Sequence, residues 1–161
     1  MRTLFHEPVI TPPSRNWDRK FVGLAHHISS WSKDPSTKVG AVIVGDRQRV
    51  LSLGYNGFPR GIRDLPSRLN DRPLKYQFTA HAERNALDQA ECSVHGATIY
   101  VTAPPCAECA KSIIQRSIAR VVATEMDRDF MARWAESFAF TSAMFAEAGV
   151  SYETFPLGDV P

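Results

Sequence analysis

Three observations in this 161-residue chain predict an α/β fold, a three-layer α/β/α sandwich around a central mixed five-stranded sheet. Two apolar runs of strand length, residues 39–44 and 50–54, follow one another with only a turn between them, the pattern of an antiparallel hairpin. Single strands then alternate with helical stretches, and parallel neighbours need such helical crossovers. Hydrophobic residues make up 43% of the chain and charged residues 22%, which suits one domain with its own core and is too short a chain for two.

Residues 1–13 carry Pro8, Pro12 and Pro13 without apolar periodicity and are expected to form an N-terminal arm, leaving residues 14–161 as a single domain. Trp17, Phe21, Leu24, Ala25, Ile28 and Trp31 then recur at spacings of three and four, which marks an amphipathic helix with Ser14 or Asn16 near its cap. His26 and His27 on that helix point about 100° apart, so they are assigned to surface or interface packing and not to one metal ion. Asp34-Pro35-Ser36 ends the helix, and the hairpin follows. Asn56-Gly57 and Phe58-Pro59 dictate a loop over residues 55–61. Residues 62–76, interrupted by Pro66 and Pro73, are expected to remain a long irregular excursion over the surface. A helix is predicted from His81 through Gln89, where good helix formers run without glycine or proline. Residues 98–102 form a strand, and Pro105 suits the first turn of a helix from Cys106 to Ser117. Residues 120–124 form the fourth strand. Phe130, Met131, Trp134, Phe138, Thr141 and Phe145 then share one face of a long helix closed by Gly149, with a short fifth strand at residues 151–155.

The formal net charge of +2 is too mild to announce a nucleic-acid binder, which usually shows a concentrated basic stripe. Arg60, Arg63, Arg68, Arg72 and Lys75 form a local basic excess, read either as a solvated face or as a place for phosphate. No apolar run approaches a membrane span and the first residues lack the apolar core of a secretory signal, so a cytoplasmic protein is expected. Three cysteines, two of them in a Cys-x-x-Cys pair, argue for metal or redox chemistry over a disulfide framework, with Cys92 expected as a buried inert thiol.

His81 with Glu83 two residues on, and Cys106 with Cys109 three residues on, supply three metal ligands and one uncommitted acid. Structural zinc is normally closed by four protein ligands, whereas catalytic zinc keeps a position open for water. A fourth ligand from Cys92 or His95 would make a structural site, and a redox dithiol would leave the His-x-Glu stretch without a role. With three ligands, water at the open position is acidified and Glu83 stands ready to shuttle its proton.

His81-Ala-Glu83 and Pro105-Cys-Ala-Glu-Cys109 match the signature of zinc nucleobase deaminases. Together with Asp34-Pro-Ser-Thr-Lys-Val-Gly-Ala-Val-Ile-Val44, Gly54-Tyr-Asn-Gly-Phe-Pro-Arg-Gly61, Asn70-Asp-Arg-Pro-Leu-Lys-Tyr76 and Ala110-Lys-Ser-Ile-Ile-Gln115, the chain resembles the deoxycytidylate (dCMP) deaminase family of the zinc-dependent cytidine deaminase superfamily. The resemblance implies a cytidine deaminase-like fold with one Zn2+ per chain on His81, Cys106 and Cys109, and Glu83 as proton shuttle. It implies hydrolysis of dCMP to dUMP and ammonia, supplying dUMP for thymidylate synthesis. It places Asn56 at the sugar, Ala82 and Pro104 at the pyrimidine edge, and Lys38, Arg60 and Arg63 as candidates for the 5′-phosphate. Phe130 is a candidate wall of the base pocket, although the same residue fits the core face of the last helix. The family further implies a homo-oligomer, a hexamer in many relatives, with dCTP and dTTP as effectors and Mg2+ only as companion of such a triphosphate. Another nucleobase, transfer-RNA adenosine, or a noncatalytic zinc-stabilised subunit are the competing readings; no membrane association and no stable nucleic-acid binding are expected.

Overall fold

The structure, a computed structural model, describes residues 15–161. The expected arm and Ser14 lie outside the described residues. Helix α1 (Arg15–Ser29) is followed by β1 (Gly40–Val44), a 3-10 turn (Asp46–Gln48) and β2 (Val50–Tyr55). Three helices come next, α2 (Pro66–Leu69), α3 (Arg72–Phe78) and α4 (Ala82–Gln89). The chain then alternates through β3 (Thr98–Val101), α5 (Ala107–Gln115), β4 (Arg120–Thr124), α6 (Arg128–Arg133), α7 (Ala135–Ala148) and β5 (Ser151–Phe155).

The five strands lie in the order β2-β1-β3-β4-β5. The β1–β2 and β1–β3 pairs are antiparallel, whereas β3–β4 and β4–β5 are parallel, so the sheet is mixed as the strand pattern predicted. Strand alternation divides the core into two. Val42, Val44, Tyr100 and Val122 pack under Phe21, Val22, Ala25 and Ile28 of α1. Ala41, Ile43, Ile99, Val101 and Val121 face the opposite way, against Ala86 and Leu87 of α4, Ala110 and Ile113 of α5 and Phe145 of α7. Covered on both faces, β1 and β4 are buried throughout, which is why β1 reads as a continuous apolar run. Among the described residues no helix is long and apolar enough to cross a membrane.

One buried charge cluster fastens α1 to the sheet. Arg120 Nη1 and Nη2 donate to the two carboxylate oxygens of Asp18 at 2.8 Å each, the Tyr100 hydroxyl donates to Asp18 Oδ1 at 2.7 Å, and Glu153 accepts from Arg120 Nε and Nη2. His26 lies 3.1 Å from Thr124 Oγ1 and His27 packs edge-on against Trp31, so the two histidines serve separate packing contacts.

Three expectations are corrected. Residues 62–76 are not an irregular excursion: Pro66 and Pro73 stand in the first turns of α2 and α3, where the missing N–H is no loss, and Asp71 caps α3 by accepting from the Leu74 amide. The expected long helix through Phe130 and Phe145 is broken at Trp134 (φ −110°, ψ 8°) into α6 and α7, with Gly149 closing the second in the left-handed conformation. Cys92 is exposed, not buried.

Two glycines set how closely helices approach the sheet. A Cβ on Gly40 would overlap the Ala25 carbonyl of α1, and one on Gly54 would overlap the Ala82 carbonyl and the Ala86 amide of α4. Gly54 therefore seats the helix that begins at His81. Gly54→Ala is expected to destabilise the fold by about 1–3 kcal/mol, the usual penalty of overpacking, and to lower metal content, whereas Gly158→Ala, with open space at its Cβ position, leaves both unchanged. Urea denaturation and metal analysis of the purified variants check this.

Candidate metal centre and adjoining pocket

His81 and Cys106 occupy equivalent places, each the N-cap residue of a helix with extended backbone, and neither side chain caps its own helix. Both turn towards each other instead. His81 Nδ1 lies 3.5 Å from Cys106 Sγ and 3.4 Å from Cys109 Sγ, and the three donor atoms all fall within 4.8 Å of one another. Tetrahedral zinc, with bonds of about 2.3 Å to sulfur and about 2.0–2.1 Å to nitrogen, sets such donors about 3.5 Å apart. The donor set and its spacing therefore fit zinc. Among the described residues neither Cys92 nor His95 joins the group, so it stays at three.

Packing three donors together perturbs each of them. The Cys106 thiol is pulled down to about 4, first by its hydrogen bond with Cys109 and then by His81. The same hydrogen bond, with burial, pushes the Cys109 thiol up. His81 rises to about 9 because the Cys106 sulfur accepts its hydrogen bond, which outweighs burial. Glu83, in the first turn of α4 and 4% exposed, is held above the usual carboxylate range chiefly by burial.

A pocket of about 210 Å³ opens above the donors. His81, Ala82, Glu83, Pro104 and Cys106 form its inner end, and Asn56 and Phe130 also line it. Asn56 is held at both ends: Oδ1 accepts from the Val39 amide at 2.8 Å and Nδ2 donates to the Thr37 carbonyl at 2.9 Å, which shapes the Thr37–Val39 wall. Lys38, Arg60 and Arg63 do not line the pocket; all three are exposed, and Arg60 donates to Gln89. The cation at the rim is Arg133, which also lines an adjoining cleft with Arg72 and Lys75. Trp134 and Phe138 complete an aromatic wall with Phe130, whose ring centroids lie 6.4 and 6.2 Å away. Sequence reasoning placed Trp134 and Phe138 on a core face and passed over Arg133. A helix break at Trp134 turns them to the pocket, and no local signal such as proline or glycine marks it.

Beneath the Ser36–Thr37 wall lies a buried ion pair, Lys75 Nζ to Asp34 Oδ1 at 2.8 Å. Lys75 also donates to the Ser36 hydroxyl, and Asp34 Oδ1 accepts from the Ser36 and Thr37 amides. Lys75 thus supports the pocket wall from behind, through Asp34 and Ser36, and is not part of a solvated basic face.

A family model described as the cytidine and deoxycytidylate deaminase zinc-binding region matches residues 15–125. An uncharacterised deaminase of Aliivibrio fischeri is 43% identical over 141 residues, covering 88% of this chain and 95% of its own. The deoxycytidylate deaminase of Mus musculus is 38% identical over 148 residues, covering 86% of this chain and 79% of its own. In fold, the chain is similar to the dCMP deaminase of cyanophage S-TIM5 solved in complex with dCMP and dUMP, at a TM-score of 0.70 and 23% identity over 89% of this chain and 99% of that one.

The pocket wall has a pH signature. Burial works against the Asp34 charge, but the hydrogen bonds from Lys75, the Ser36 and Thr37 amides and the Ser36 hydroxyl outweigh it and hold the carboxyl below its ordinary value of 3.8. A lowered folded-state value means stabilisation that is complete above the unfolded-state value and is lost as pH falls through the folded one. Asp34→Asn is expected to lose about 3 kcal/mol at pH 7 by stranding Lys75, and the gap from the unmutated protein narrows below about pH 4. Denaturation curves of both proteins across that range provide the measurement.

Proposed function

The chain belongs to the cytidine and deoxycytidylate deaminase family, a family of zinc-dependent enzymes, and from that premise we propose that it hydrolyses dCMP to dUMP and ammonia, supplying dUMP for thymidylate synthesis. The observation that carries the proposal is one pocket in which a three-donor metal group, a buried carboxylate, an aromatic wall and a rim arginine meet.

Zinc held by His81, Cys106 and Cys109 supplies Lewis-acid activation of water when bound. Glu83 accepts a proton from the attacking water and delivers it to N3 of the cytosine, then takes the proton of the new C4 hydroxyl and passes it to the amine, so that the C4–N bond breaks, ammonia leaves and a C4 carbonyl remains. Its burial excludes competing solvent from that carboxylate. Ala82 and Pro104 border the pyrimidine edge, Asn56 meets the sugar with the donor and lone pair its backbone contacts leave over, and Phe130, Trp134 and Phe138 wall the base. Arg133 takes the 5′-phosphate, with Arg72 in the adjoining cleft as its neighbour. The pocket lining supports this assignment over Lys38, Arg60 and Arg63. The same reading extends to a homo-oligomer answering to dCTP and dTTP, which added effectors would reveal by changing the shape of velocity curves.

Two outcomes test the proposal. Glu83→Gln is expected to keep stoichiometric zinc while losing about 10²–10⁴ in kcat on dCMP, the range of general acid-base catalysis; turnover equal to that of the unmutated enzyme overturns the mechanism. Arg133→Ala is expected to lower kcat/KM for dCMP by about 10–100-fold, the worth of one charge-assisted hydrogen bond, and to leave deoxycytidine unaffected. Equal losses on both substrates would remove Arg133 from the phosphate.

A further inference from the structure

Of the three metal donors, Cys106 is the one whose two flanking peptide groups are both held by side chains of another helix. Cys109 lies inside α5, where helical geometry aims its Cβ, whereas His81 and Cys106 both stand at N-caps, their carbonyls tied into α4 and α5 by the Asn85 and Ala110 amides. Cys106 stands outside the helix with extended backbone (φ −72°, ψ 167°), and its sulfur turns to His81 and so leaves the first amides of α5 without a side-chain cap.

Two side chains of α7 fill that role from a distance. Ser137 Oγ accepts from the Ala107 amide at 2.9 Å, and Thr141 Oγ1 donates to the Pro105 carbonyl at 3.0 Å. Residues four apart share one face of a helix, so both act from the same side. The Pro105 carbonyl belongs to the peptide plane before Cys106 and the Ala107 amide to the plane after it. Peptide units are planar, so pinning both planes holds φ and ψ of Cys106, and with them the direction of its Cβ. Thr141 is 1% exposed, and its neighbour Phe138 lines the pocket. Helix α7 therefore carries both the brace and Phe138 of the aromatic wall.

We propose that Ser137 and Thr141 are positioning residues that aim Cys106 at the metal, tying ligand geometry to the seating of α7 against the pocket. The inference rests on the metal-centre reading above. It is tested without substrate, by titrating metal-free protein with Co2+ against a competing chelator and following the thiolate-to-cobalt charge-transfer band. Ser137→Ala and Thr141→Val are each expected to weaken Co2+ binding by about 10–100-fold, the usual effect of removing a partner that orients a ligand, and to shift the band. Ser137→Thr and Thr141→Ser restore both. Val22→Ala, which loosens the packing of α1 on the opposite face of the sheet, lowers the melting temperature without moving Co2+ affinity. Unchanged affinity and an unchanged band in Ser137→Ala and Thr141→Val overturn the inference alone; if Thr141→Val does not fold, the same result in Ser137→Ala suffices. Absence of Co2+ uptake by the unmutated protein overturns the metal-centre reading and this inference with it.

Discussion

The constraint on which the structure turns is that two helices begin at a residue of the His81, Cys106 and Cys109 group, whose donor atoms converge. His81 and Cys106 stand at N-cap positions where a side-chain oxygen would ordinarily satisfy the exposed amides, and both are committed to a common point instead. The helices must then be held by other means. For α4 the means is close backbone approach to the sheet at Gly54, reinforced by the Ser52 hydroxyl donating to the Ala86 carbonyl at 2.7 Å. For α5 it is the pair of hydroxyls on α7.

The mixed sheet makes this arrangement available. β3 is antiparallel to β1 and parallel to β4, so β3 leads directly into the turn that carries Pro104, Pro105 and Cys106. Helices α4 and α5 pack on the same face, which brings their N-termini together. The opposite face is left to α1, whose attachment is electrostatic as well as apolar through Asp18 and Arg120. Ligand sites in open α/β sheets form beyond the carboxyl ends of parallel strands for the same geometric reason.

Charge is used differently inside and outside. The Asp34–Lys75 and Asp18–Arg120 pairs have nearly all their surface covered and additional hydrogen bonds to each carboxylate, so loss of one partner leaves an uncompensated buried charge. Lys111–Glu108 and Arg84–Asp88 are exposed helix-surface pairs, screened by solvent, and contribute little. The Asp34–Lys75 pair also gives a physical reason for two sequence segments that otherwise share nothing: Asp34-Pro-Ser-Thr and Leu74-Lys-Tyr76 meet beneath the pocket wall.

Strands, most helices and the His81, Cys106 and Cys109 group were legible in the chain itself, because the apolar run in residues 40–44, helical spacing from Trp17 to Ile28 and the Cys-x-x-Cys interval depend on residues close together. Proline misled where its effect is positional: Pro66 and Pro73 read as breakers, yet each begins a helix. Tertiary structure alone decided which cation reaches the pocket, where the chain breaks at Trp134, and that Lys75 joins Asp34 across 41 residues. Each of those outcomes is settled by packing and desolvation between distant segments, and neither leaves a mark on local residue pattern.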